Sequence, residues 1–188
     1  MEQIRKHFEK NFVITDQDWQ IFSSKLVRRE FKKKHLLLKK GQIENHLSFI
    51  EEGILRFYIE KQTSDLTFSF AFSNGFVSGY NSFLTQTPSS YFIETLTKTV
   101  LWQLTFEDLQ EIYRATEIGN AIGRHASEDL FLKKSQRELS LLNQSAQQRY
   151  LDLFEEQPEL LKNIPLKYIA SYIGVTPQAL SRIRKRIS

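Results

Sequence analysis

The C-terminal stretch, residues 163–188, constrains the fold more than any other part of the sequence. Gly174 can take the left-handed conformation that ends a helix, and Thr176-Pro177 then supplies a capping hydroxyl and a residue suited to the first helical position. Before this turn, apolar residues recur at the three-and-four spacing of one helical face: Leu166, Ile169, Ala170 and Ile173. Two short helices joined by a glycine-containing turn are typical of a helix-turn-helix.

The second of these helices, predicted from Thr176 to Ile187, has an apolar side and a polar, basic side. Ala179, Leu180 and Ile183 form the apolar side, whereas four of the five residues in the range 182–186 are cationic. Hydroxyl, amide and cationic side chains can contact phosphates and base edges in a major groove. The candidate DNA-binding residues are Thr176, Pro177, Gln178, Ser181, Arg182, Arg184 and Lys185. A helical hairpin that only packs on the rest of the protein would not need this basic outer face.

Composition narrows the classes of function. The 188 residues carry a net charge of +4 and include no cysteine, which excludes disulfides, thiolate zinc sites, cysteine-ligated iron–sulfur clusters and cysteine nucleophiles. No apolar stretch approaches the roughly twenty residues of a membrane-spanning helix, and the charged N-terminus does not resemble a signal peptide. We therefore expect a cytoplasmic protein without a membrane partner.

Between residues 36 and 104 the sequence predicts short β-strands. In Leu66–Phe72 large apolar residues alternate with smaller ones, which predicts one buried and one exposed strand face. Several short strands at regular spacing indicate an antiparallel barrel or a jelly roll. Residues 1–28 are expected to be helical, with Thr15 and Asp18 as a capping pair. The turn residues that separate the strands are Gly41, Gly53, Asn74-Gly75 and Gly79.

Helical patterns replace the strands after residue 105. Since residues 89–157 contain no proline, the sequence allows a helix of about 25 residues here. A further helix is predicted over Ser145–Glu156. Ser145 is its candidate cap, and one side is formed by Tyr150, Leu151 and Phe154. A long helix that leaves a barrel needs a partner, and a parallel copy of the chain is the natural candidate. The residues expected at this dimer contact are Ile118, Ile122, Ala126 and Leu130. Packing on its own barrel remains the alternative, because His125 and Asp129 interrupt the heptad.

Taken together, these elements resemble the Crp/Fnr family of bacterial transcription regulators, and the sequence of the motifs is similar to that of the branch common in Bacteroidetes. Four segments carry the resemblance: Lys39–Gln42 in the roll, Phe49–Arg56 in a strand pair, Ser145–Tyr150 at a helix start and Ile169–Ile183 in the helix-turn-helix, the most specific of them. The resemblance implies an α+β fold with an N-terminal antiparallel β-roll, a jelly roll like that of cyclic nucleotide-binding domains, flanked by helices.

The same resemblance implies three parts and a function. A β-roll sensor domain with an N-terminal helix would occupy residues 1–113, a long dimerisation helix residues 114–143, and a helix-turn-helix domain residues 144–188. The homodimer would bind a palindromic site on double-stranded DNA, and RNA polymerase is a further candidate partner. In the recognition helix, Gln178 and Arg182 would face bases with Ser181 beside them, Thr176 would lie near a phosphate, and Arg184 and Lys185 would contact the DNA backbone. Because the sequence ends at Ser188, we expect no β-hairpin wing.

The usual ligand of such a roll does not fit these residues. Members that bind cyclic nucleotides hold the ribose with a Gly-Glu pair and the phosphate with an Arg-Ser pair, but the corresponding stretches are Val77–Asn81 and Pro88–Tyr91, which contain neither the Glu nor the Arg. A cyclic phosphate buried without a cation would be costly. We therefore expect an effector other than cyclic AMP, of unknown identity, and no cofactor. The residues expected around an effector pocket are Phe72, Gly79, Tyr80, Asn81, Ser89, Ser90 and Tyr91, with Phe83 as a further lining residue.

A cupin-like β-barrel enzyme or small-molecule-binding protein with a helical appendage is the alternative. Its metal would need a cluster of histidines and carboxylates, and His46 with Glu44 or Glu51 is the only local candidate in the sequence. Neither a phosphate loop nor a nucleophile elbow is present. We expect neither a metal site nor a catalytic site. A protein-interaction module that has lost DNA binding is a third class, which the basic helix disfavours.

Overall fold

The structure, a computed structural model, describes residues 1–62, 64–156 and 158–187. Thr63, Gln157 and Ser188, which fall inside the predicted domains, lie outside the described residues. The chain divides into two compact units. The first consists of residues 1–57 and 70–127, and the second of residues 58–69 and 128–188.

The first unit starts with two helices, α1 (Glu2–Glu9) and α2 (Asp16–Ser24). The helical character expected over residues 1–28 is confirmed as far as Ser24. The capping pair predicted at Thr15 and Asp18 is also confirmed, since the Thr15 Oγ1 accepts a hydrogen bond from the Asp18 backbone N–H at 3.1 Å. The first strand then begins at Val27, nine residues earlier than the β signal in the sequence, which started at Leu36.

Within the described residues, eight strands form two four-stranded sheets, with the orders β1-β8-β3-β6 and β2-β7-β4-β5. The pairs β1/β8, β2/β7, β3/β6 and β3/β8 are antiparallel, as the predicted jelly roll requires. The strands are β1 (Val27–Phe31), β2 (Leu36–Leu38), β3 (His46–Glu52), β4 (Ile54–Ile59), β5 (Leu66–Phe72), β6 (Phe76–Val77), β7 (Phe92–Thr95) and β8 (Thr99–Thr105).

The turn from β3 to β4 depends on Gly53. Its φ of +117° lies in a region that side chains disfavour, and a Cβ built there would lie 2.5 Å from Thr99 Oγ1. Only glycine allows the backbone to approach Thr99 so closely. This confirms the turn predicted at Gly53.

Strand β5 does not separate a buried face from an exposed face, and that prediction is wrong. Thr67, on the side expected to be exposed, is buried, whereas Leu66 and the residues after Thr67 are only partly buried. In the second unit the Thr67 backbone N–H donates to Ser171 Oγ at 2.8 Å, so the face carrying smaller residues is covered as well.

The core of the first unit is aromatic. Two further helices complete it, α3 (Tyr80–Thr85) and α4 (Phe106–Ala115), and Thr105 with Asp108 forms a capping box at the start of α4. The buried cluster shared by α1, α2, α3, α4 and the sheet comprises Ile4, Phe8, Phe22, Phe49, Phe83, Leu104, Leu109 and Ile112.

The remaining helices are α5 (Gly119–Asn143), α6 (Ala146–Glu156), α7 (Pro158–Asn163), α8 (Leu166–Tyr172) and α9 (Pro177–Ile187). The 25 residues of α5 confirm the predicted long helix. Ser145 begins α6 as predicted, because its Oγ accepts from the Gln148 backbone N–H at 3.2 Å. The predicted inner side of α6 is partly wrong: Leu153 is buried beside Tyr150, three residues away, and Phe154 is exposed. None of the described helices is long and apolar enough to cross a membrane.

Candidate DNA-binding surface

Helices α8 and α9 are joined by the turn that the sequence predicts. Gly174 has a φ of +80°, and the Val175 backbone N–H donates to the Ala170 carbonyl at 2.9 Å, which closes the end of α8. Thr176 then opens α9, since its Oγ1 accepts from the Ala179 backbone N–H at 3.2 Å. Both local predictions, the glycine stop and the threonine cap, are confirmed.

Buried side chains hold the two helices together. Leu180 of α9 is buried, as are Ile169 and Ala170 of α8, and Ile173 follows them at the helix end. Leu166, predicted on the same inner face, is instead 42% exposed, because it occupies the first position of α8. The apolar side of α9 is thus turned inward, which leaves its polar side to solvent.

All seven predicted DNA-binding residues are exposed. Gln178, Ser181 and Lys185 follow one another at spacings of three and four, so they lie on one face of α9, with Arg182 beside them. Ser181 Oγ donates to the Pro177 carbonyl at 3.0 Å. Thr176 and Pro177 lie at the N-terminal end of this face, and Arg184 at its edge.

The surface of α9 is positively charged. The helix contains no acidic residue, and Arg184, Lys185 and Arg186 occupy its last turn. Arg186 is exposed on the other edge of the face and was not among the predicted residues, although it belongs to the same basic run. A positive surface of this kind attracts phosphate groups.

The predicted effector-pocket residues do not form one polar group. Asn81 and Ser90 are exposed, and Phe72 is partly buried. The Tyr80 ring stacks near Phe83 at 6.4 Å, and its hydroxyl lies 3.2 Å from Ser127 Oγ. Ser89 is buried and its Oγ donates to the Tyr91 carbonyl at 3.0 Å, so this hydroxyl bonds to its own loop.

Glu44 also belongs to this region, although the sequence did not indicate it as a pocket residue. Its buried carboxylate accepts hydrogen bonds from the Gly79 backbone N–H at 3.2 Å and from the His46 backbone N–H at 3.0 Å. Burial raises the pKa of the Glu44 carboxyl, although the backbone donors, that of His46 first among them, act in the opposite direction. The backbone N–H of Gly79 is thus already paired with a carboxylate.

Arg56 is the buried cation of the roll. Its Nε lies 2.9 Å from Glu94 Oε1, and both side chains are largely inaccessible to solvent. The charge of Arg56 is therefore offset by a carboxylate of the same unit. In the suggested metal pair, Glu44 accepts from the backbone N–H of His46, and the described residues contain no group of three or more potential metal ligands.

The chain matches known proteins in sequence over one domain and in structure over nearly its whole length. Residues 28–116 match the model of the cyclic nucleotide-binding domain. The c-di-GMP responsive global regulator CLP of Xanthomonas campestris has a similar structure, with 18% identity, a TM-score of 0.70, and coverage of 92% of this chain and 91% of CLP. The chain has the Crp/Fnr fold, with its match to the cyclic nucleotide-binding domain confined to residues 28–116. The family resemblance predicted from the sequence is confirmed.

Two further structures share this Crp/Fnr fold. One is a protein of Eubacterium rectale assigned to the crp/fnr family of transcriptional regulators, with 16% identity, a TM-score of 0.72, and coverage of 93% of this chain and 83% of that chain. The other is the catabolite activator protein of Thermus thermophilus, with 18% identity, a TM-score of 0.58, and coverage of 96% of this chain and 85% of that chain. No curated protein sequence matches this chain.

Within the Crp/Fnr fold, the residues predicted at the dimer contact are distributed over two environments. Ile118 and Ile122 line a small apolar cavity together with Phe8 and Trp19, so they belong to the packing of the first unit. Ala126 is exposed and Leu130 is partly buried. Gly123 packs on α4, since a Cβ there would lie 2.6 Å from the Tyr113 hydroxyl.

Proposed function

We propose that this protein is a cytoplasmic DNA-binding transcription regulator of the Crp/Fnr type rather than an enzyme. The observation that carries the proposal is the face of α9, on which Gln178, Arg182 and Lys185 are exposed above the buried Leu180. The regulator nature of the proteins that share the fold supports it: CLP is described as a global regulator of gene expression.

The side chains of this face divide into two roles. Gln178 and Arg182 lie near the N-terminal half of α9, where a recognition helix contacts base edges, and Arg can bond a guanine through two donors. Ser181 would supplement these contacts. Thr176 with Pro177 at the helix start, and Arg184 with Lys185 near its end, would bond phosphates and set the register of the helix.

A homodimer would present two such helices to a palindromic site, with half-sites about one helical turn apart. The exposed apolar face of α5 supports a partner of the same kind. Leu132 and Leu139 are seven residues apart and Leu142 follows three later, which is the spacing of a coiled-coil seam. These side chains and the neighbouring Phe131 are between 54% and 75% exposed. We therefore assign the contact to this face rather than to Ile118 and Ile122. RNA polymerase is a candidate partner of the DNA-bound dimer.

The effector, if one is used, is proposed to be something other than cyclic AMP. Glu44 occupies the Gly79 amide and Arg56 is paired with Glu94. A cyclic phosphate beside Gly79 would meet the Glu44 carboxylate, and like charges in a partly buried site repel strongly.

The proposal is tested by selecting bound duplexes from a random DNA library with the purified protein. We expect enrichment of a palindromic sequence, with log affinity falling linearly as log salt rises. The absence of an enriched sequence, or affinity independent of salt, would count against DNA binding.

On the selected site, Arg182→Ala is expected to weaken specific binding by roughly 1–3 kcal/mol and to relax the preference for one base. Arg186→Ala is the matched control, since it removes the same charge from the edge of the same helix. It should weaken binding to specific and unrelated DNA by similar factors. Equal behaviour of the two variants would contradict base reading by Arg182.

A further inference from the structure

Two arginines from other helices contact the C-terminal end of α8, immediately before the turn into α9. Arg149 of α6 donates from Nε to the Ile173 carbonyl at 2.9 Å. Arg137 of α5 donates to the Tyr172 carbonyl, and its guanidinium carbon lies 4.0 Å from the centre of the Tyr172 ring. Both contacts lie within the second unit.

Arg149 also bridges two elements. A second nitrogen, Nη1, donates to the Gln144 carbonyl in the connection between α5 and α6. A Cβ at Gly174 would lie 3.7 Å from Nη2 of the same guanidinium, so Arg149 lies alongside the turn itself. One planar group thus fixes the end of α5, the start of α6 and the end of α8 relative to one another.

Both arginines donate to backbone carbonyls, and Arg137 also lies over the Tyr172 ring. The last carbonyls of a helix carry partial negative charge, which favours cations there. Among the described residues neither Arg137 nor Arg149 forms an ion pair with a carboxylate. Burial lowers the pKa of Arg137, and the nearby charge of Arg149 lowers it further, against the effect of Tyr172. Two cations are held close together here at an electrostatic cost, and their donors fix the direction of α8.

We propose that Arg149, supported by Arg137, is a positioning residue for DNA recognition. It sets the angle at which α8, the turn and therefore α9 project from α5 and α6. This inference rests on the proposed DNA binding. In a dimer joined through α5, that angle determines the distance between the two recognition helices, and so the half-site spacing that the protein accepts.

The chemistry of the guanidinium makes the inference testable with a charge-conserving change. Lysine would keep the positive charge at position 149 but has a single ammonium group, which cannot reach the Ile173 and Gln144 carbonyls with two fixed donors. Arg149→Lys should therefore loosen the geometry without changing the net charge. Lys134→Arg is the control, a charge-conserving change on the exposed surface of α5.

The experiment measures affinity for the selected palindrome, for versions with one or two base pairs inserted or deleted between half-sites, and for a single half-site. Arg149→Lys should bind the preferred spacing about tenfold more weakly, the magnitude of one charged hydrogen bond. Its half-site affinity should stay unchanged, so that its preference among spacings flattens. The control should retain the wild-type preference. Loss of affinity by one common factor for every DNA would indicate a merely structural role and overturn the inference.

Hydrogen exchange separates this inference from the proposed function. The Val175 amide, bonded to the Ala170 carbonyl across the turn, should exchange faster in Arg149→Lys than in the wild type or the control. If the wild type selects no DNA, the proposed function fails. Unchanged Val175 exchange would then overturn the positioning inference on its own. Arg137→Lys replaces Arg149→Lys in both measurements if circular dichroism shows the latter to be unfolded.

Discussion

His46 is a residue whose surroundings determine how stability depends on pH. It begins β3 and is partly buried, and burial, with a smaller effect from the Arg29 charge, lowers the pKa of its imidazole below the ordinary value of 6.5. Between this lowered pKa and 6.5 the unfolded chain binds more protons than the folded one. The contribution of His46 to stability is therefore complete above pH 6.5 and is lost as the pH falls through this window.

As the pH falls from about 7.5 to about 5, the melting temperature of the wild type should fall further than that of His46→Gln. Glu44 acts in the opposite sense, because its raised pKa makes the folded chain bind more protons above 4.5. Both proteins retain Glu44, so its effect cancels in the difference. Thermal unfolding across this pH range makes the measurement, and two parallel curves would show that the imidazole is not desolvated by the fold.

At the scale of elements, the start of α9 depends on one hydroxyl. Thr176 Oγ1 accepts a hydrogen bond from the Ala179 amide, and the hydroxyl of Ser181 instead donates to the Pro177 carbonyl. Thr176→Ala should cost about 1 kcal/mol of local stability, or about a fivefold faster exchange of the Ala179 amide. Thr176→Ser keeps the acceptor and should exchange like the wild type. Equal rates in all three proteins would mean that solvent replaces the cap.

The helix-turn-helix was predicted almost residue by residue because its signals are local. Gly174 and Thr176 determine where one helix stops and the next starts, and neither depends on distant packing. The N-terminal region shows the opposite case. The cap at Thr15 is a local signal as well, but the helical pattern expected up to residue 28 ends earlier, because Val27–Phe31 pairs with β8 as a strand. Pairing with a strand some seventy residues later has no local signal.

The same distinction explains which site residues the sequence could not indicate. Arg149 is recognisable only as part of a helix start, since its acceptor at Ile173 is 24 residues away. Glu44 precedes a strand and meets the Gly79 amide, 35 residues later, only once the roll has closed. The family resemblance led us to expect no ribose-binding Glu in Val77–Asn81 and no phosphate-binding Arg in Pro88–Tyr91, but it did not indicate that Glu44 accepts from the Gly79 amide.

At the scale of the whole molecule, the proposed dimer contact can be tested against the one predicted from the sequence. Leu139 lies on the exposed apolar face of α5, whereas Ala126 lies about 140° away around the helix axis, at 100° per residue. Leu139→Glu should place two carboxylates against each other in the seam and yield monomers in sedimentation equilibrium. Ala126→Glu adds the same charge to the other face and should remain dimeric. If Ala126→Glu dissociated and Leu139→Glu did not, the dimer contact would lie on the face predicted from the sequence.

The same pair of variants connects the dimer to DNA recognition. Each wild-type dimer that has bound one half-site holds its second recognition helix at a high effective concentration near the other half-site. A monomer loses this advantage but keeps every contact that α9 makes. Leu139→Glu should therefore bind the full palindrome about 10²-fold or more weakly while its half-site affinity stays unchanged, and Ala126→Glu should match the wild type on both DNAs. Anisotropy titrations on the two DNAs measure this. A Leu139→Glu monomer that still bound the palindrome with full affinity would show that the DNA, and not α5, brings the two recognition helices together.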